Sequence, residues 1–185
     1  KEGCHIRIMS FGDMVTFDGN DYVIAYSRVS IENQSNEPKY LDPGASPEFI
    51  RLNEPDKKIA PGTTTDYDFA VGIDRFGKTC PWPSPERIKQ AGGWDDHFTH
   101  MKSYWEKKLS EIVHISTPDK DVENYFKSTF IYVLIMNDYG HQPHGGEGAY
   151  DRIYDHDVTG RMADYMTFGY FSDSEELFKY LPMGF

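Results

Sequence analysis

Three prolines within five residues, Pro81, Pro83 and Pro85, divide the chain into two stretches with different hydrophobic periods. Because proline lacks a backbone N–H, such a run forms neither a regular helix interior nor a central strand. Before it, short β-rich segments alternate with Gly, Asn, Asp and Pro; after it, apolar residues recur at helical spacing. We therefore predict a mixed fold, with an antiparallel β-sandwich over residues 1–80, a linker over 81–96 and a helical segment over 97–185.

The first stretch predicts several strands of different length. Residues 4–9 and 14–17 are β-rich and enclose a predicted turn at 10–13, while 22–31 is the longest strand candidate. Short strands punctuated by turn residues are typical of a sandwich.

A further strand is predicted after the turn that Pro61 and Gly62 favour. Its side chains alternate between apolar residues on one face and mainly polar residues on the other: Tyr67, Phe69 and Val71 against Asp66, Asp68 and Ala70. This alternation indicates a strand with one buried face.

The second stretch predicts helices over residues 97–114, 122–136, 158–170 and from 174 onward. Thr117 followed by Pro118 is a favourable helix start, with the threonine as N-cap. The helix over 122–136 is apolar on most of its surface, which is typical of the inner member of a multi-helix assembly. We therefore expect this segment to be part of a larger helical domain.

Composition excludes two classes of partner. The formal net charge of −11 argues against nucleic acid, because a phosphate backbone requires clustered lysine and arginine. No apolar run approaches the roughly 20 residues that a membrane span needs. The two cysteines, Cys4 and Cys80, either pair or stay free.

Polar residues concentrate in the loop over 137–150 and in the residues that follow it. The loop is rich in glycine and contains His141, His144 and Glu147. The next residues bring aromatic and acidic side chains to a helix start: Tyr150, Asp151, Tyr154, Asp155, His156 and Asp157. A long loop of this composition between helices is more often functional than structural.

Three interpretations of this segment remain open. The first is a sugar pocket, in which carboxylates bind hydroxyls and aromatic rings stack on a pyranose. The second is a zinc site formed by His141, His144 and His156 with Glu147 or Asp157. In the third, the acids only favour the helix dipole and the histidines are solvated.

The order of these features resembles the six-hairpin, or (α/α)6-barrel, glycosidases that carry an N-terminal β-sandwich. Residues 59–69 are similar to a late strand of the sandwich, and residues 104–109 with 117–119 to the connecting and first barrel helices. Residues 150–169 are similar to the second barrel helix.

In several of these families the second barrel helix opens with a Trp-x-Arg-Asp pattern that grips the sugar. The corresponding residues here are Tyr154, Asp155, His156 and Asp157, so that the terminal Asp matches and His replaces Arg. The resemblance implies the N-terminal part of a glycoside hydrolase without a cofactor, which is secreted or periplasmic. The residues it implies for sugar binding are Asp157 and His156, together with Tyr154, Tyr150 and Asp155. It also implies that the general acid and the rest of the barrel lie beyond residue 185.

Stacking surface for the sugar is expected from Tyr150, Tyr154 or Trp94. The alternative function is a non-catalytic carbohydrate-binding or surface-assembly module that uses exposed aromatic residues of the sandwich. Its candidates are Tyr22, Tyr26 and Tyr40, for each of which core packing is the more common role.

Overall fold

The structure of the chain is a computed structural model that describes residues 3–73, 82–138, 142–143 and 153–179. Its fold is mixed, and antiparallel sheets precede helices as predicted. The backbone divides into two compact units, Lys1–Ser103 and Tyr104–Phe185.

The main sheet of the first unit contains four antiparallel strands in the order β1 (Cys4–Phe17), β2 (Asn20–Asn33), β6 (Thr64–Ile73) and β4 (Ile50–Arg51). A second, two-stranded sheet pairs β3 (Lys39–Tyr40) with β5 (Lys58–Ile59).

The turn predicted at residues 10–13 is wrong, because β1 continues through it and every residue pairs with β2. Phe11 stacks on Tyr26, with ring centroids 5.6 Å apart, and Asp13 is buried. Pairing with a long neighbouring strand therefore overrides the local turn preference of Ser-Phe-Gly-Asp.

Both faces of the main sheet are covered where β6 runs. One face packs against helices and forms a core of Tyr22, Ile24, Tyr26, Ala70, Ile88 and Trp94. The other face packs against the small sheet through Ile31, Ile59, Tyr67 and Phe69. The predicted strand over β6 is confirmed, but the prediction of one buried face is wrong, since Asp68 and Ala70 are also buried.

Two helices lie in or begin in the predicted linker. The first, α1 (Pro85–Gln90), has Pro85 at its first position and Ser84 as its N-cap. The second, α2 (Trp94–Ser110), begins three residues before the predicted start, and the boundary between the units falls inside it. The carboxylate of Asp96 accepts the Gly93 N–H at 2.9 Å, which stabilises this earlier start.

The second unit contains α3 (Lys120–Ile135), α4 (Asp155–Phe168), α5 (Phe171–Leu177) and the short pair β7 (Asn137–Asp138) and β8 (Gln142–Pro143). These helices correspond to the predicted ones with shifted ends.

The start of α3 differs from the prediction. Asp119, not Thr117, is the N-cap, and its side chain accepts the Asp121 N–H at 2.9 Å. Thr117 instead donates its hydroxyl to the Asp119 carbonyl, and its N–H bonds to Glu123. The carboxylate of Asp119 therefore takes the capping role expected of the threonine.

The core of the helical unit lies where α3, α4 and α5 meet. It consists of Ile112, Phe130, Val133, Val158, Met162, Tyr165, Phe168, Tyr170 and Leu177. On α3 several large apolar side chains remain exposed within the described residues: Val122, Tyr125, Tyr132 and Ile135.

Candidate functional site

Four of the five predicted site residues lie at the start of α4. Tyr154 is the N-cap, and Asp155, His156 and Asp157 form the first helical turn. Tyr150 lies outside the described residues, as do His141, His144 and Glu147 of the preceding loop.

The backbone of Tyr154 fixes the direction in which α4 begins. Its φ and ψ of −119° and 136° are extended, and its carbonyl accepts the Val158 N–H at 3.0 Å. Asp155 and Asp157 then carry negative charge at the positive end of the helix dipole. The side chain of Tyr154 makes no capping hydrogen bond to the helix end.

Tyr154, His156 and Asp157 form a cluster of side chains. The imidazole Nε2 of His156 lies 3.3 Å from Oδ1 of Asp157, and the rings of Tyr154 and His156 have centroids 5.8 Å apart. His156 is 81% exposed and Asp157 is 30% exposed. The cluster therefore offers solvent an aromatic ring, a carboxylate acceptor and an imidazole that donates or accepts.

Asp155 lies on another side of the helix, because residues two apart are separated by roughly 200° around the axis. One of its carboxylate oxygens is buried without a hydrogen-bond partner. The two carboxylates therefore do not face each other across a shared space, as a pair of glycosidase acids must.

A buried polar network lies between α4 and the end of α3, and sequence reasoning missed it. Arg161 donates from Nη1 to Oδ1 of Asn137 at 2.6 Å and to the Met136 carbonyl at 3.2 Å. The amide of Asn137 in turn donates to the Tyr165 hydroxyl at 2.6 Å. Burial raises the pKa of Tyr165, so this phenol stays neutral.

Arg161 follows Asp157 by four residues, which places both on one face of α4. That spacing is the signal in the sequence by which Arg161 could have been found. Asn137 is the first residue of the loop over 137–150, but its contact with Arg161 had no signal in the sequence, because the two become adjacent only when α3 and α4 pack together.

The other aromatic candidates differ in their exposure to solvent. Trp94 is 5% exposed in the sheet core, so its predicted role as stacking surface is wrong. Tyr22 and Tyr26 are buried at 8% and 0% exposure, whereas Tyr40 is 71% exposed. All three buried rings belong to the core between the main sheet and the helices of the same unit, and Tyr22 also lines a cleft beside the β1–β2 hairpin.

The described residues also bear on metal binding and on membrane insertion. No group of three or more His, Cys, Asp or Glu side chains there is arranged to hold a metal ion. None of the helices in the described part is both long and apolar enough to cross a membrane.

Comparison of the chain with protein-family models, curated proteins and solved structures found no match.

Proposed function

We propose that the chain is part of a glycoside hydrolase and that the start of α4 binds a sugar residue of an oligo- or polysaccharide substrate. In this proposal the main sheet and the β3–β5 sheet are the two layers of a β-sandwich. The helices from α2 onward are the first hairpins of an (α/α)6 barrel.

The observation that carries the proposal is the clustering of the exposed His156 with the half-buried Tyr154 and Asp157 at one helix start. Sugar hydroxyls both donate and accept hydrogen bonds, and the cluster provides groups for both. A tyrosine ring beside these groups suits the apolar C–H face of a pyranose.

Each residue has a distinct role in this proposal. Asp157 accepts hydrogen bonds from one or two hydroxyls, and His156 donates to or accepts from a neighbouring hydroxyl. Arg161 and Asn137 are positioning residues, since their network ties α4 to the end of α3. A fixed first turn lowers the entropy that sugar binding must offset.

Neither Asp155 nor Asp157 is proposed as the catalytic acid. Cleavage requires two carboxylates on opposite sides of the glycosidic bond, about 5 Å apart in retaining enzymes and ~6.5–9.5 Å apart in inverting ones. These two residues diverge from one helix turn, so the acid has to come from another element of the enzyme.

The proposal is tested by binding to an array of α- and β-linked glucans, mannans, xylans and galactans. Titration calorimetry with the best oligosaccharide then compares Asp157→Asn with the wild type. We expect roughly ten- to hundredfold weaker binding, the effect of losing a hydrogen bond to a charged group.

The matched control is Asp164→Asn, which removes the same charge from an exposed position of the same helix. It is expected to bind as the wild type does. No binding to any glycan, or equal binding by both variants, would reject the role of Asp157.

A further inference from the structure

The tip of the β1–β2 hairpin has a fixed geometry. Phe17 pairs with Asn20 across a two-residue turn, and the turn residues Asp18 and Gly19 have φ of 51° and 80°. Positive φ at both positions is typical of the tight hairpin turn that Asp-Gly favours. The backbone on either side of the tip therefore has a defined geometry.

Beside this tip lies a cleft of about 290 Å³ in the first unit, bordered by the residues that lead into α1. Its apolar walls are three aromatic rings, with centroids 5.8 Å apart for Phe17 and Tyr22 and 5.4 Å apart for Tyr22 and Trp82. The volume is near the lower end of ligand sites, which begin at about 300 Å³.

The sheet leaves space for the ring of Trp82 at one position. A Cβ on Gly72 would lie 2.6 Å from the Trp82 ring, closer than packed atoms approach. Glycine at this position therefore lets the indole lie directly on the strand. The Trp82 part of the aromatic wall is thus packed against the sheet.

The rim of the cleft is polar and charge-balanced. Arg87 donates to both carboxylate oxygens of Asp18, at 2.5 and 3.1 Å, and its guanidinium lies 5.3 Å from the Phe17 ring centroid. A guanidinium has five N–H donors and a carboxylate has about four acceptor positions, so the pair retains capacity for a ligand. Asn20 and Ser84 add an amide and a hydroxyl to the lining.

This combination selects a class of ligand. The carboxylate of Asp18 balances the charge of Arg87, which disfavours anions and cations alike. Aromatic walls with a neutral rim of donors and acceptors suit a small polyhydroxylated ring. We propose that the cleft binds one pyranose residue, separately from the site at α4, and this does not rest on the function proposed for α4.

The test follows the indole N–H resonances of ¹⁵N-labelled protein, with Trp82 assigned through Trp82→Phe. The probes are the methyl α- and β-glucopyranosides, methyl β-galactopyranoside and methyl β-xylopyranoside. We expect at least one of them to shift the Trp82 signal in a saturable manner.

Arg87→Ala and Asn20→Ala each remove an exposed rim group, so both variants are expected to fold. Each should weaken that binding by about tenfold, the value of one hydrogen bond to the ligand. Lys89→Ala is the matched control, because Lys89 is exposed on the same helix and does not line the cleft.

Asp157→Asn separates this inference from the proposed function, because cleft binding must persist in that variant. The inference is overturned if no probe moves the Trp82 signal or if both rim variants bind like the wild type. It is also overturned if the Trp82 shift disappears in Asp157→Asn.

Discussion

The helices α2 and α4 both begin with two acidic residues in the first turn, but the protein uses these residues differently. In α2, Asp95 accepts two hydrogen bonds from Arg28 at 3.0 and 2.9 Å, and Asp96 bonds to the Gly93 N–H. In α4, Asp157 contacts the exposed His156, and one oxygen of Asp155 is buried without a hydrogen-bond partner.

The difference comes from the neighbouring sheet. Arg28 projects from β2, bonds to Asp68 of β6 at 2.7 and 2.9 Å, and lies 4.1 Å above the Trp94 ring. An acidic residue at a helix start is therefore structural where it pairs with a cation from another element, as Asp95 does with Arg28. Where it contacts a solvent-exposed histidine instead, as Asp157 does, it is a candidate for ligand binding.

Arg28→Ala should produce the largest effect, because it removes the cation that α2 and the sheet share. Asp68 is only 8% exposed and would lose its bidentate partner. Truncating one member of a buried pair costs about 3 kcal/mol. Urea unfolding followed by circular dichroism measures this loss, and the exposed Arg7→Ala should change stability by less than ~0.5 kcal/mol. A small effect of Arg28→Ala would mean that the ion pair of Asp95 with Arg28 is not structural.

Asp13→Ala should cause the next largest loss of stability. This buried carboxylate accepts from Nδ1 of His97 at 2.9 Å and contacts Nδ1 of His100 at 2.8 Å. Since Nε2 of His97 is already buried without a partner, the variant would leave that ring unbonded, at a cost of about 2 kcal/mol. Thermal melts would measure it. His100 is 65% exposed, so His100→Ala is the control and should cost less than ~1 kcal/mol.

Sequence predicted the succession of strands and helices and a helix close to α4, because both depend on local pattern, while the sugar-binding role of the α4 start stays a prediction. Sequence failed where contacts between residues distant in the chain determine the structure. The turn predicted at 10–13 is replaced by strand pairing with β2, and Trp94, predicted as a stacking surface, is buried beneath Arg28. The contact of Asn137 with Arg161 and the cleft beside the β1–β2 hairpin form only when separate elements pack together. No local spacing in the sequence predicts that packing.

Asp95→Asn tests the same contact between α2 and Arg28 of the sheet, with a smaller expected effect that depends on pH. The hydrogen bond from Arg28 holds the pKa of Asp95 below its usual range, although burial opposes this. Because the folded-state pKa is lowered, the stabilisation is present above the unfolded pKa of roughly 3.9 and is lost as pH falls through the folded value. Asp95 is 77% exposed, so we expect a loss of at most ~1 kcal/mol at neutral pH.

Urea unfolding of both proteins at neutral and acidic pH measures this window. The difference in the free energy of unfolding between wild type and Asp95→Asn should shrink below about pH 4. A difference that stays constant with pH would show that the Asp95 charge does not stabilise the contact between α2 and Arg28.

Asp157→Asn should have the smallest effect on stability, which sharpens the contrast between the two helix starts. It weakens the interactions of a partly exposed charge with the helix dipole and with the exposed His156, together worth about 0.5 kcal/mol. Thermal melts beside Asp164→Asn, which lies away from the first turn, measure this term. If Asp157→Asn destabilised the protein more than Asp95→Asn does, Asp157 would be a structural residue, as Asp95 is at the start of α2. A nearly unchanged melting temperature together with lost glycan binding would instead separate the two, because a carboxylate that contributes little to folding and much to binding belongs to a recognition site.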